Sequence, residues 1–190
     1  MQKKHGPWTI VSSETKYKNP WIEVVEDKVI RPDGKPGIYG VVNLAHGKGV
    51  CVLAIDEKNF VYLTHEFKYA SGKEHLEGVA GGLDAGETPL EAAKRELKEE
   101  AGIEASEWLD VGSVEPFTGI FKHEVHLFIA KNLTFGNPQR EGTEVSMKIA
   151  KMKLEEALEK VMKSEITNGP SVALILKAKL FLEREKGEKP

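Results

Sequence analysis

The sequence predicts a mixed α+β fold with helices packed on a central sheet, and three observations carry that expectation. Period-two alternation of apolar and polar residues runs through residues 8–45, and a hairpin pattern with a near-continuously apolar first strand follows between 49 and 69. One capped helical run follows at residues 89–101, and two amphipathic helical runs close the chain after residue 153.

The 190 residues are 40% hydrophobic, enough for one sizeable core with a small appendage. The expected division is an N-terminal antiparallel sheet over residues 1–46 and a main domain over 47–190. Twenty-seven basic and 30 acidic residues leave a net charge of −3 without a basic block, so no nucleic-acid partner is indicated. No apolar run approaches the ~18 residues that span a bilayer, and the N-terminus lacks a signal core, which makes the cytoplasm the expected location and a membrane partner unexpected. Cys51 is the only cysteine, and its setting V-C-V-L-A-I reads as a buried strand with a structural thiol.

Taken in order, T-I-V-S-S-E-T-K-Y, W-I-E-V-V-E-D-K-V-I and G-I-Y-G-V-V-N-L-A form a meander, with R-P-D-G-K-P-G turning between the last two. Such a sheet cannot bury its own apolar face, so it must pack on the main domain or on a second subunit, and a homodimer is one solution. A step near residues 45–49 is the only linker candidate. G-V-C-V-L-A-I-D, the turn E-K-N and F-V-Y-L-T-H-E-F-K-Y then read as a hairpin whose first strand is buried on both faces. After A-S-G-K-E, the strand H-L-E-G-V-A runs into glycines, giving the order strand, loop, helix.

Beyond the helix, W-L-D-V-G-S-V-E-P-F and H-E-V-H-L-F-I-A-K read as strands. His123 and His126 lie on or beside the second, and their i,i+3 spacing on opposite strand faces argues against a zinc site. Residues 132–143 form a polar loop with Gly136, Pro138 and Gly142, and Glu141 and Glu144 are its acids. A strand over residues 145–152 leads to the helices L-E-E-A-L-E-K-V-M and P-S-V-A-L-I-L-K-A-K-L-F-L-E-R-E-K, and the tail G-E-K-P is expected to fray.

The stretch with most chemistry is G-G-L-D-A-G-E-T-P-L-E-A-A-K-R-E-L-K-E-E-A-G-I, residues 81–103. Thr88 is placed to cap a helix opened by Pro89 and stopped by Gly102. Leu90, Ala93, Leu97 and Ala101 share one stripe, and Glu96, Glu99 and Glu100 occupy the neighbouring arc. Glu96 and Glu100, at i,i+4, repel by roughly 0.2–0.5 kcal/mol, and Glu99 and Glu100 stand at the negative end of the helix dipole. A hard divalent cation such as Mg2+ or Mn2+ would turn that liability into a site. An ordinary solvated face is the competing explanation, with Lys94, Arg95 and Lys98 interleaved and Glu91 able to pair with Arg95.

Gly81, Glu87, Arg95, Glu96, Leu97, Glu99, Glu100, Gly102 and Ile103 fall at every fixed position of the Nudix hydrolase signature, which this stretch resembles without mismatch. Each fixed residue has a background frequency of several per cent, so the full spacing outweighs the solvated-face reading. The resemblance implies an α/β/α sandwich and hydrolysis of a nucleoside diphosphate linked to another group, with Mg2+ or Mn2+ held by helix carboxylates. The surroundings resemble the ADP-ribose pyrophosphatase branch: a sheet region precedes the domain, E-F-K-Y ends a strand, and L-E-G-V-A-G precedes the helix.

By that resemblance the carbonyl of Ala80 joins Glu96 and Glu100 as metal ligands, with Glu99 a further one. Arg95 would orient the carboxylates and Glu87 would brace the loop-helix junction. A late-loop acid, Glu144 first and Glu141 second, would be ligand or base, ahead of Glu115. Lys68 and Glu77 would contact substrate, with core salt bridging as the competing explanation, and Tyr17 and Trp21 would stack a base across a dimer, with packing of the sheet as theirs. Val79 stands where a proline is usual, Lys68 where an arginine is common, and F-T-G at residues 117–119 where S-P-G is usual. The resemblance implies cleavage of ADP-ribose to AMP and ribose 5-phosphate, and these departures bear on the sugar rather than on the hydrolysis. GDP-mannose or another nucleoside diphosphate sugar is the alternative substrate, and a non-catalytic nucleotide-binding module is the rival of another class.

Overall fold

The structure, a computed structural model, describes residues 2–140 and 142–185. Its strands are β1 (Lys3–His5), β2 (Trp8–Lys18), β3 (Ile22–Ile30), β4 (Pro36–Ile55), β5 (Phe60–Lys68), β6 (Lys73–Glu77), β7 (Val79–Gly82), β8 (Ile103–Val114), β9 (Phe121–Phe135) and β10 (Lys148–Lys153). The helices are α1 (Pro89–Ala101), α2 (Leu154–Met162) and α3 (Gly169–Glu185), with one 3-10 turn at Gly142–Ser146. Among the described residues, no helix is long and apolar enough to cross a membrane.

Two compact units emerge, one of residues 1–47 and 115–124 and the other of 48–114 and 125–190. In the first, β1, β2, β3 and the start of β4 pair antiparallel in sequence order. The turn between β3 and β4 closes where its glycine and prolines predict: Arg31 N–H donates to Lys35 O at 2.9 Å, and Gly34 takes a φ of 79°. The step at residues 45–49 is not a separate linker, because β4 continues through it as one strand.

In the second unit the chain builds three layers. Along β4, Cys51, Leu53 and Ile55 join a core with Leu154, Ala157, Leu174, Ile175 and Ala178 of α2 and α3. The intervening Val50, Val52 and Ala54 join a separate core with Ala92, Ala93 and Leu97 of α1. Side chains alternate across a strand, so a sheet apolar at every position must be covered on both faces. The expected burial of this strand on both faces is thus observed, and Cys51 is fully buried, its thiol pushed up to about 12 by desolvation.

Some boundaries differ from expectation. β8 begins at Ile103, directly after the helix stop, and β9 runs to Phe135, so the polar loop starts at Gly136 rather than Asn132. The strand expected over residues 145–152 is split: Glu144, Val145 and Ser146 lie in the 3-10 turn, and β10 starts at Lys148. Asn132 sustains β9 with a φ of 55°, a conformation asparagine tolerates better than most residues. The tail G-E-K-P lies outside the described residues.

Candidate active site

Helix α1 presents the site, and its ends are built for that. Thr88 Oγ1 accepts from Glu91 N–H at 3.3 Å while the Glu91 carboxylate accepts from Thr88 N–H at 2.8 Å, a reciprocal capping box behind Pro89. Glu91 is therefore engaged in the cap rather than in the i,i+4 pair with Arg95 that the solvated-face reading allowed. The signal was present as T-x-x-E. At the other end Gly102 takes a φ of 64° and donates to Leu97 and Lys98 carbonyls.

Arg95 gathers the acids. Its Nε and Nη2 donate to the two Glu87 oxygens at 3.0 Å each, Nη1 donates to Glu96 at 2.8 Å and to Glu99 at 3.2 Å, and Nη2 also reaches Gly82 O at 2.9 Å. The fork geometry of a guanidinium allows this, and no lysine could replace it. Hydrogen bonding to Arg95 lowers the pKa of Glu87, while Glu87 followed by Glu96 and Glu99 raises that of Arg95 against the cost of burial.

Glu96 lies against the backbone of the glycine loop. A Cβ on Gly81 would come 1.9 Å from Glu96 Oε1 and 2.1 Å from its Cδ, so only glycine leaves room for this carboxylate. Glu100 is 5% exposed, and burial, followed by the charges of Glu96 and Glu144, pushes its pKa up to about 8. Lys68 and a hydrogen bond from the Ala80 backbone oppose that rise without cancelling it. Glu96 is raised too, by burial first, with Glu99 and Glu144 adding to it against Arg95. Glu144, on the 3-10 turn, is thus within electrostatic reach of both.

Lys68 is flanked by Glu66 and by Glu77 at 3.5 Å, and His75 Nδ1 lies 3.6 Å from the same Glu77. Burial opposes the charge of Lys68, but Glu66, Glu77 and Glu100 outweigh it and raise its pKa. The salt bridge that competed with substrate contact as the explanation of Lys68 and Glu77 is present, with Glu77 only 7% exposed while the Lys68 side chain stays 40% exposed. Ser171 of α3 and Asn168 just ahead of that helix steady the step between β6 and β7: Ser171 Oγ accepts from Gly78 N–H at 3.0 Å and donates to Asn168 at 2.8 Å. Nothing in the spacing of Asn168 and Ser171 pointed to the site, because they reach it only through folding.

The remaining candidates are placed as follows. Glu141 lies outside the described residues. Glu115 is exposed. Tyr17 and Trp21, 54% and 71% exposed, do not pack the sheet within this chain. His123 and His126 both lie on β9.

The donor set fits a hard divalent cation. Glu96 and Glu100 are oxygen donors whose mutual repulsion Arg95 relieves only in part, and such ions take carboxylate ligands. Among the described residues no three His, Cys, Asp or Glu side chains are grouped closely enough to hold a metal ion.

The chain is similar to known proteins. The NUDIX domain family matches residues 45–170, and the nucleoside diphosphate sugar hydrolase N-terminal domain matches residues 8–42. The chain is 30% identical over 168 residues to the ADP-ribose pyrophosphatase of Mycobacterium tuberculosis, covering 87% of this chain and 80% of that protein. It is 27% identical over 179 residues to the ADP-ribose pyrophosphatase of Bacillus subtilis, covering 93% and 96%. The solved structure of an ADP compounds hydrolase superposes with a TM-score of 0.83 at 20% identity, covering 96% of this chain and 98% of that one, which establishes the likeness of fold.

Proposed function

The chain belongs to the Nudix hydrolases, and from that premise we propose that it cleaves the diphosphate bond of ADP-ribose, releasing AMP and ribose 5-phosphate. The observation that carries the reading is the Glu96–Glu100 pair, seated on the Gly81 backbone and steered by Arg95. A nucleotide-binding module without catalysis has no need of that complete acid set. The relatives that act on ADP-ribose support the substrate.

Hydrolases of this family need a divalent cation, here assigned as Mg2+ or Mn2+, which when bound neutralises diphosphate charge and acidifies water. Glu96, Glu99 and Glu100 would hold it together with Glu144 and the Ala80 carbonyl, and Arg95 keeps the helix carboxylates aimed. Lys68, held protonated by its acidic neighbours, supplies a cation for the substrate phosphates, with Glu77 fixing it. Glu144 takes the proton of the attacking water, with Glu141 as the alternative in the same loop. The water oxygen bonds to phosphorus, the anhydride P–O bond breaks, and the leaving phosphate keeps the bridging oxygen. Charge stabilisation at phosphorus is the largest contribution to rate.

Tyr17 and Trp21, exposed in one chain, are assigned to stacking on the base in a homodimer. The expected setting is the cytoplasm. Lys68 and F-T-G at residues 117–119 depart from the ADP-ribose pattern, so GDP-mannose and other nucleoside diphosphate sugars belong in the same assay panel, ranked by kcat/KM.

The test replaces Glu99 and Glu100 singly by glutamine and follows AMP release from ADP-ribose with Mg2+. Loss of about 100-fold or more in each is expected, given that even residues behind metal ligands cost 10–100-fold. Activity near wild type in both variants would remove the assigned site.

A further inference from the structure

We propose that Arg140 is a positioning residue that sets the late-loop carboxylate Glu144 against helix α1, acting as a two-point clamp between the helix end and the loop. The proposal deepens the reading above and rests on its assignment of Glu144.

Helix α1 ends in carbonyls that no residue of the helix can satisfy. The loop after β9 is laid across them. Gly136 N–H donates to Gly102 O at 2.7 Å, Gln139 N–H donates to Glu99 O at 2.7 Å, and Arg140 Nε donates to Glu100 O at 2.6 Å. The fit is close, since a Cβ on Gly102 would meet Gly136 O and Pro138 N at 2.7 Å. Two successive helix residues, both proposed metal ligands, thus have their backbones tied to two successive loop residues.

The second arm of the guanidinium reaches the far side of the loop, where Arg140 Nη1 donates to Met147 O. Met147 is buried at 3% exposure, and its N–H donates to Glu144 O at 2.9 Å. From Glu100 O through Arg140 to Met147 and back to Glu144, every link is a hydrogen bond to a backbone carbonyl. Carbonyls carry no charge to repel or titrate, so the clamp sets position. Gly136 and Gln139 tie the start of the loop to the helix end, and Arg140 extends that tie to the turn bearing Glu144, against the repulsion among the carboxylates of Glu96, Glu100 and Glu144. A guanidinium offers donors on two edges of a rigid plane, whereas a lysine ammonium offers one point. No spacing along the chain marks Arg140.

The experiment compares R140A, R140K, E144Q and the R140A/E144Q double variant in the full-length protein, using ADP-ribose and Mg2+. Hydrogen exchange of the Gln139 and Met147 amides is measured in metal-free protein. The clamp predicts that R140A and R140K each lose about tenfold to a hundredfold in kcat with KM within about twofold, the size expected of a misplaced group. Both amides exchange faster in R140A, and the double variant is no slower than E144Q alone. If R140A does not fold, R140K carries the comparison, because it keeps the charge and loses the fork.

Wild-type kcat in R140K overturns the clamp. A loss appearing mainly in KM overturns it as well, because the residue would then be holding substrate. Multiplying losses in the double variant overturn the route through Glu144. Full activity of E144Q overturns the assignment of Glu144 itself, and the clamp with it, whereas an impaired E144Q beside an unimpaired R140K removes the clamp alone.

Discussion

Glu100 is a carboxylate the fold buries before any cation arrives, and this gives the cation-free protein a pH signature. Its pKa stands at about 8 in the folded chain, above the ordinary carboxylate value, so the folded state holds its proton more tightly than the unfolded state. The associated stability is complete below the unfolded value and is lost as pH rises through about 8. The melting temperature in EDTA should therefore fall between about pH 5 and 8, and E100Q should flatten that slope, as thermal scans would show. Gly81 offers a second test. Its Cβ would strike only the flexible end of Glu96, so G81A should fold with a nearly unchanged melting temperature while kcat falls about tenfold or more, because the carboxylate must move aside.

Helix α1 is stabilised at both ends by devices whose removal should have different costs. T88A deletes the cap oxygen and half of the capping box, so chemical denaturation should show a loss of about 1 kcal/mol. G102A should cost more, on the order of 1–3 kcal/mol, because it combines a left-handed backbone with contacts to loop backbone that cannot swing away. The two variants separate the helix's own stability from its seating under the loop. T88A should leave kcat nearly unchanged, whereas G102A should lower it by disturbing the loop that carries Glu144.

For the molecule as a whole, the exposed Tyr17 and Trp21 and a first unit with little core of its own are the grounds for expecting a homodimer. Light scattering at micromolar concentration should return twice the chain mass, and a monomeric mass would reject the assembly. In the second unit, L174A should cost about 2–5 kcal/mol in denaturant, since Leu174 is fully buried in the core that α3 shares with β4. Activity measured well below its midpoint should survive, because that core lies on the sheet face opposite α1.

Much of this could be read from residue order. A capped helix with glutamates at fixed spacing, preceded by a glycine loop, is a local pattern, and local geometry follows from neighbouring residues; the same holds for the doubly buried strand at Cys51 and the turn at Gly34. The positions of Glu144, Arg140, Ser171 and Asn168 could not be read in that way. Arg140 and Ser171 reach the site through contacts made by tertiary packing, Arg140 to Glu100 across 40 positions and Ser171 to Gly78 across 93, and Asn168 and Glu144 are placed through those two. Spacing along the chain carries no information about a hydrogen bond that exists only once the sheet has brought two distant loops together. The burial that lifts Glu100 to about 8 belongs to the same class, because desolvation depends on what folds over a side chain and not on which residues precede it.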